Sequence, residues 1–517
     1  MVKLPSVKIS TNLLAVLIVL IIGYFYYQVA LSTPIVFGDE GYYAGTARWI
    51  AKNGIFPQYL PMDGSPVTHF TLTTKPFFIV LESFAFLLGG ELLVKLMLPL
   101  FSMLGALFIY VFLKKLGDPK AGLFAMIAFL LTPSLVTYGV LGYVDTLFVL
   151  LIAGALYFGH LSFKENNRLY TVLAGIFIGF AFLTKTSGAA LGVFFILYSL
   201  YAHRLKNFRQ LFVMFLVAGL LMSPLIIRNL AYFGNICFLP GEALSKGCEP
   251  VEDVAIENPK GLDFAGRTEQ ASTEQGLIRF GLLNYIMFAY GLPAVAVFVF
   301  GLTFFLVERS EFHRYILISF IAFLLLAEFS LFRAEDTARY MLPLLVPMTI
   351  AGGSFLSAFY DRVGSKNRII ALFLIAVIVF TLWTPGKQKI DTMFQVKSFV
   401  PGVFDGCDWV KKNTPTDAAL LATYTRQVGY SCERRAGAGP GGEVIFLSNN
   451  EDSYEAIKKD GFDYVFVVVG LITDAAYAEN YPRNFVAYLE NDTMHFEKTY
   501  DNTAKYGQAG VIIYKVL

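Results

Sequence analysis

Two adjacent carboxylates, Asp39 and Glu40, lie in the stretch VFGDEGYYAG, directly after the first long apolar run of the chain. An acid at a bilayer centre costs about 2.5–3.5 kcal/mol on insertion scales, so acids beside such runs sit at membrane edges or serve a purpose. Further polar residues follow or precede later apolar runs. They are His69 and Lys75 in THFTLTTKP, Asp145 in GYVDTLF, Lys185 in FLTKTSG, and Arg228 with Asn229 in SPLIIRNLAYFGN. Arg279 comes next, then Arg333 and Arg339 in LFRAEDTARYMLP. Two or three carboxylates among several fixed cations suit a reaction in which a base takes a proton from an acceptor while cations stabilise a departing phosphate. Each residue also has a plainer use. Asp39 and Asp145 are natural helix N-caps, Lys75 and Lys185 are of a type that snorkels to a membrane interface, and Arg339 has Glu335 and Asp336 as neighbours for an ion pair.

The elements that must position these residues are membrane spans. The chain has 517 residues, 56% of them hydrophobic, with 50 Phe and 29 Tyr; only 15% are charged, against about 25% in an ordinary soluble domain. A net charge of +2 gives no reason to expect nucleic-acid binding. With about 20 apolar residues needed per span, spans are predicted near 13–31, 93–113, 121–139, 146–163, 169–187, 188–202, 210–227, 281–307, 315–332, 341–360 and 369–385. The first run is longer than a signal-peptide core, lacks a small-residue cleavage site and reads as a retained helix. The piece PFFIVLESFAFLLGG, interrupted by Glu82 and closed by two glycines, is ambiguous. If it does not cross, the basic loops KKLGDPK, KENNR, HRLKNFR, ERSEFHR and DRVGSKNR all share one side with Lys3 and Lys8, as the positive-inside rule requires of cytoplasmic loops. It therefore reads as an interfacial or re-entrant helix. The expected fold is a polytopic α-helical membrane protein of about eleven spans over residues 1–387. Its first outer loop covers 32–92, its N-terminus is cytoplasmic, and Asp39, Glu40 and Asp145 lie outside.

From residue 388 the composition changes. CDWVKKNTPTDAALLATYT reads as helix, turn and strand; SYEAIKKDGFDYVFVVVG as an amphipathic helix, a glycine stop and a buried strand; MHFEKTY and GVIIYKVL as a closing strand pair. This predicts an extracytoplasmic α/β domain over 388–517. Cys237 and Cys248 share one predicted outer loop, and Cys407 and Cys432 share this domain, so two local disulfides are expected in an oxidising compartment. No cysteine or histidine spacing indicates zinc.

In order and spacing the motifs resemble those of the GT-C glycosyltransferases, in the branch of protein O-mannosyltransferases and aminoarabinose transferases. DE after the first span is similar to their first-loop acidic motif, TTKPFF to their Lys-Pro motif, YVDTLF to the second acidic position, and FLTKTSG to Leu-Thr-Lys-Gly. RNLAYFGN resembles their Arg-Asn-x-x-x-x-Gly-Asn loop and ARYMLPLLVP their Arg-Tyr-x-x-Pro motif. The resemblance covers residues 13 to about 385. It departs at Phe77, where a second proline is common, and at Thr186, where the family has glycine. It implies transfer of a sugar from a polyprenyl- or dolichyl-phosphate donor, usually with inversion, on the outer face of the cell membrane. Asp39 would be the base or acceptor-orienting carboxylate, supported by Glu40; Asp145 would orient acceptor or sugar. Lys75 would hold the lipid phosphate, Lys185 would neutralise charge nearby, and Arg228, Arg279 and Arg339 compete for a second phosphate contact. Implied partners are the lipid-linked sugar, membrane lipid, and an acceptor that is glycan, protein or lipid. No cofactor is required, and a divalent metal on Asp39, Glu40 and Asp145 is not favoured, because the Trp-Trp-Asp signature of oligosaccharyltransferases is absent. The alternative is a transporter or flippase of lipid-linked sugars, which would favour midplane charges on broken helices and paired repeats; neither is legible here.

Overall fold

The computed structural model describes residues 10–33, 35, 39–54, 75–204, 206–233, 289–331, 338–396, 401–422, 425–437, 450–459, 461–469 and 485–517. The chain divides into two compact units, one of residues 1–31, 95–228 and 278–392, the other of residues 32–94, 229–277 and 393–517. Labels below number the described elements in chain order.

The first unit is helical. α1 (Thr11–Ser32), the second half of α3 (Pro76–Lys115), α4 (Pro119–Leu130), α5 (Pro133–Tyr138), α6 (Asp145–Glu165), α7 (Arg168–Thr184) and α8 (Ala189–His203) lie on the predicted spans in turn. They are followed by α9 (Phe208–Phe233), α10 (Leu292–Glu308), α11 (Glu311–Leu331), α12 (Leu342–Gly364) and α13 (Arg368–Val396). Among the described residues six helices are long and apolar enough to cross a membrane, and four more are apolar but shorter. The predicted span 121–139 is not one helix. α4 stops at Leu130, Thr132 is extended (φ −67°, ψ 125°), and Pro133 opens α5; proline pushes the residue before it out of the helical region, so the run breaks there.

α6 packs on α7 and α12, while α12 packs on α4 and α10. Phe194, Phe195, Tyr198 and Tyr315 form a buried aromatic knot, and Tyr315 donates to the Leu156 carbonyl at 2.8 Å. The charges separate to the two ends of this unit. Lys115 pairs with Glu165 at 3.4 Å and Lys120 with Asp361 at 2.5 Å, at the C-terminal ends of α6 and α12. α6 has 21 residues, so Asp145 at its start lies about 30 Å away at 1.5 Å per residue.

The second unit holds α2 (Asp39–Asn53), the first half of α3, and the C-terminal α/β elements. α3 is two helices joined at Gly89–Gly90. Gly90 has φ +64° and ψ −156°, a backbone state essentially restricted to glycine, so the Gly-Gly pair separates the 76–88 piece from the spanning part as its sequence implies. Further on come α14 (Pro401–Asn413), β1 (Ala419–Ala422), α15 (Thr425–Cys432), β2 (Arg435–Gly437), α16 (Asn450–Lys459), β3 (Tyr464–Val468), α17 (Phe485–Asn491), β4 (Phe496–Asp501) and β5 (Val511–Val516). The strand order is β2-β1-β3-β5-β4, with β1 parallel to β2 and β3, and β5 antiparallel to β3 and β4. Alternate side chains serve opposite faces. Leu420, Ala422, Phe466 and Ile513 pack with Val403, Val410 and Val428; Leu421, Val465, Val467 and Ile512 pack with Tyr454, Ile457 and Leu489. Helices cover both faces, which is why β3 is buried throughout.

Candidate active site

Asp39 and Glu40 open α2, where carboxylates meet the positive end of the helix dipole. Asp39 is partly accessible, whereas Glu40 is only 3% exposed. One turn on, Tyr43 is buried and packs edge-to-face on Phe78 at 5.6 Å. Its hydroxyl donates to Asp39 Oδ2 at 3.4 Å and accepts from Lys75 Nζ at 2.5 Å. The first contact is long for a hydroxyl donor. Lys75 Nζ lies 4.9 Å from the Tyr43 ring centroid. With the hydroxyl so much closer, this contact is chiefly a hydrogen bond to the phenol oxygen. An acid, a phenol and an ammonium therefore form one chain. Glu82, two turns beyond Lys75, is wholly buried with neither oxygen hydrogen-bonded among the described residues, close enough to Glu40 to feel its charge.

A second polar cluster belongs to the helical unit. Asp145, at the start of α6, is 1% exposed, and its Oδ1 accepts from Lys185 Nζ at 2.6 Å. Its Oδ2 is buried with no hydrogen-bond partner among the described residues. Lys185 follows α7 in extended backbone and is succeeded by a 3-10 turn, Thr186–Gly188. A Cβ on Gly188 would come within 2.6 Å of the Phe182 nitrogen, so the close approach that Thr186 cannot supply is made two residues later. Lys185 Nζ sits 4.5 Å from the centre of the Tyr340 ring. The Arg339 guanidinium lies 5.3 Å from the same ring and 5.5 Å from that of Tyr143, within the range of cation–π attraction.

The structure thus gathers Asp39, Glu40 and Lys75 in one unit, and Asp145, Lys185 and Arg339 in the other. Arg228 and Asn229 lie within α9, which continues to Phe233, rather than in a loop. Arg279, His69, Arg333, Cys237 and Cys248 fall outside the described residues, as do Glu335 and Asp336. The expected Cys407–Cys432 disulfide is formed. Among the described residues no three His, Cys, Asp or Glu side chains converge as a metal site would require. Sequence reading missed Tyr43 and Tyr340. Tyr43 had a legible signal, its place four residues after Asp39 on a helix; Tyr340 was hidden inside the Arg-Tyr-x-x-Pro motif beside the arginine.

Residues 76–229 match the family model described as dolichyl-phosphate-mannose-protein mannosyltransferase. No curated protein matches the chain at the sequence level. Among solved structures, ArnT from Cupriavidus metallidurans bound to undecaprenyl phosphate is 13% identical with a TM-score of 0.68, covering 97% of each chain. The oligosaccharyltransferase AglB from Archaeoglobus fulgidus, in complex with an inhibitory peptide and a dolichol-phosphate, is 14% identical with a TM-score of 0.65, covering 93% of this chain and 72% of its own. At 13–14% identity these structures share this chain's fold, and the family model covers the helices that carry Asp145 and Lys185.

Proposed function

We propose that this protein transfers a sugar from a polyprenyl- or dolichyl-phosphate donor to a hydroxyl acceptor on the outer face of the membrane, with inversion at the anomeric carbon. One observation carries this reading: a carboxylate and an ammonium, Asp39 and Lys75, are held together through the single hydroxyl of Tyr43. Asp39 takes the acceptor's proton as the acceptor oxygen bonds to the anomeric carbon. The bond from that carbon to the phosphate oxygen breaks, and its electron pair leaves with the lipid phosphate, whose charge Lys75 meets. Attack opposite the leaving group inverts the centre. A positioned base contributes about 10²–10⁴-fold, and stabilising the leaving charge is often the larger effect.

In the helical unit, the buried Asp145–Lys185 pair is of a kind that orients a sugar or acceptor, and Arg339, beside Lys185 and Tyr340, is our choice over Arg228 for a cation that meets phosphate charge. Support for the donor class comes from relatives whose structures hold dolichol-phosphate or undecaprenyl phosphate. The test is purified protein in detergent with a radiolabelled polyprenyl-phosphate sugar and a hydroxyl acceptor. Turnover that is lost in Lys75→Ala, with nucleotide sugar inert as donor, is the expected result. A flippase has nothing to do without a bilayer, so absence of turnover with every donor sugar and acceptor class supplied would favour that alternative.

A further inference from the structure

The C-terminal α/β domain meets the acidic helix through one buried tyrosine. α15 is anchored on its inner face by Val428 and Cys432, both fully buried in the core beneath α14. Cys432 is covalently bound to Cys407 of α14. Just beyond it, the Arg434 guanidinium donates to the Thr414 and Lys411 carbonyls and to Thr414 Oγ1. Residues 428 and 432 share a helix face, so Tyr430 between them points away from the sheet. There it is 4% exposed and makes three contacts with two other segments. Its carbonyl accepts from Arg48 Nη2 at 2.7 Å, its ring lies 4.3 Å from the Arg48 guanidinium, and its hydroxyl donates to Glu91 Oε2 at 2.9 Å. Glu433 adds ion pairs to Arg48 at 3.5 Å, Lys52 at 3.6 Å and Lys411 at 3.8 Å.

Arg48 stands on α2, the helix that begins with Asp39. Glu91 follows the Gly90 bend of α3, whose first piece begins beside Lys75. The two arms are therefore tied at one end through Tyr43 and at the other through Tyr430. We propose that Tyr430 is a positioning residue: by holding Arg48 and Glu91 at once, the C-terminal domain sets the distance between the Asp39 carboxylate and the Lys75 ammonium. This rests on the functional reading above. It makes the domain part of the transfer machinery through residues that need touch neither substrate.

Tyr430→Phe removes the hydroxyl bonded to Glu91, and Arg48→Ala removes the second arm together with the Arg48–Glu433 ion pair. Since a shift of about 1 Å imposed from a distance costs up to 100-fold, each is expected to lower kcat about 10- to 100-fold in protein that remains folded at the assay temperature. Asp39 is faced by Glu40 and Tyr43 on its own helix and by Lys75 on the other arm, with Glu82 behind Glu40. Moving the Lys75 ammonium away favours the protonated acid, so the acid limb of the kcat profile moves to higher pH. Tyr430→Phe combined with Glu91→Ala is expected to be no worse than the poorer single variant. Wild-type kcat and an unmoved acid limb in folded Tyr430→Phe and Arg48→Ala would overturn the inference, as would losses that track thermal stability alone. Asp39→Asn in the same assay separates the two readings. Full transfer by Asp39→Asn removes the base assignment itself; an inactive Asp39→Asn beside normal Tyr430 and Arg48 variants removes only the positioning role.

Discussion

Tyr43 joins two charged residues that are far apart in sequence, and that makes it the sharpest probe of the site. Tyr43→Phe keeps the edge contact with Phe78 but deletes the bridge to Lys75 and Asp39. A hydrogen bond to a charged group is worth about 1.5–3 kcal/mol, so kcat/KM for transfer should fall about 10- to 100-fold while the protein stays folded; an unchanged value would mean the chain is incidental. The Asp145–Lys185 pair makes a different prediction, read in unfolding. Lys185→Met alone strands a buried carboxylate and should cost about 3–5 kcal/mol, whereas adding Asp145→Asn should recover much of it. Equal losses in the single and double variants would contradict the pairing. Asp39, Glu40, Lys75, Asp145 and Lys185 were legible because charge beside long apolar runs is costly and therefore conspicuous. Tyr43 was passed over, since its one signal was its place four residues after Asp39 and it is one tyrosine among 29. Glu82 read only as an interruption of an apolar run, and its burial close to Glu40 depends on how α2 meets the first piece of α3.

Among the elements, the apolar runs were legible as helices, and a described helix lies on each of the eleven predicted positions, six of the helices being long and apolar enough to cross a membrane. What periodicity did not reveal is where a span breaks. The α4–α5 break is set by Pro133 acting on Thr132, whereas the α3 bend at Gly90 was marked in the sequence by its Gly-Gly pair. Nothing lies within 4 Å of a Cβ built on Gly90, so Gly90→Ala tests backbone strain with no clash. It should lower stability by about 1–3 kcal/mol, seen as a lower unfolding midpoint; no change would mean the bend relaxes freely. In the C-terminal domain the helix–strand alternation and the closing strand pair were readable. α15 and β2 were too short to declare themselves, although α15 carries the contact to α2.

At the scale of the whole molecule, the C-terminal domain shares its unit with residues 32–94, a grouping that no linker or composition shift announces. Glu433 gives this grouping a pH dependence. Partial burial pushes its pKa up, but Arg48, Lys52 and Lys411 together outweigh that and hold it below the ordinary 4.5. A depressed acid stabilises the fold above its unfolded value, and that contribution is lost as pH falls below 4.5 and through the folded value. The stability gap between wild type and Glu433→Gln should therefore close in that acid window; a gap independent of pH would contradict it. Removing the Cys407–Cys432 bond, which spans 25 residues, should cost about 3–4 kcal/mol on the chain-entropy model and release α15 as well. The base assignment is tested most directly by the single-turnover rate of sugar transfer from a polyprenyl-phosphate donor in purified, folded Asp39→Asn. The account predicts a fall of about 100-fold or more with donor binding retained, and transfer at the wild-type rate would contradict it.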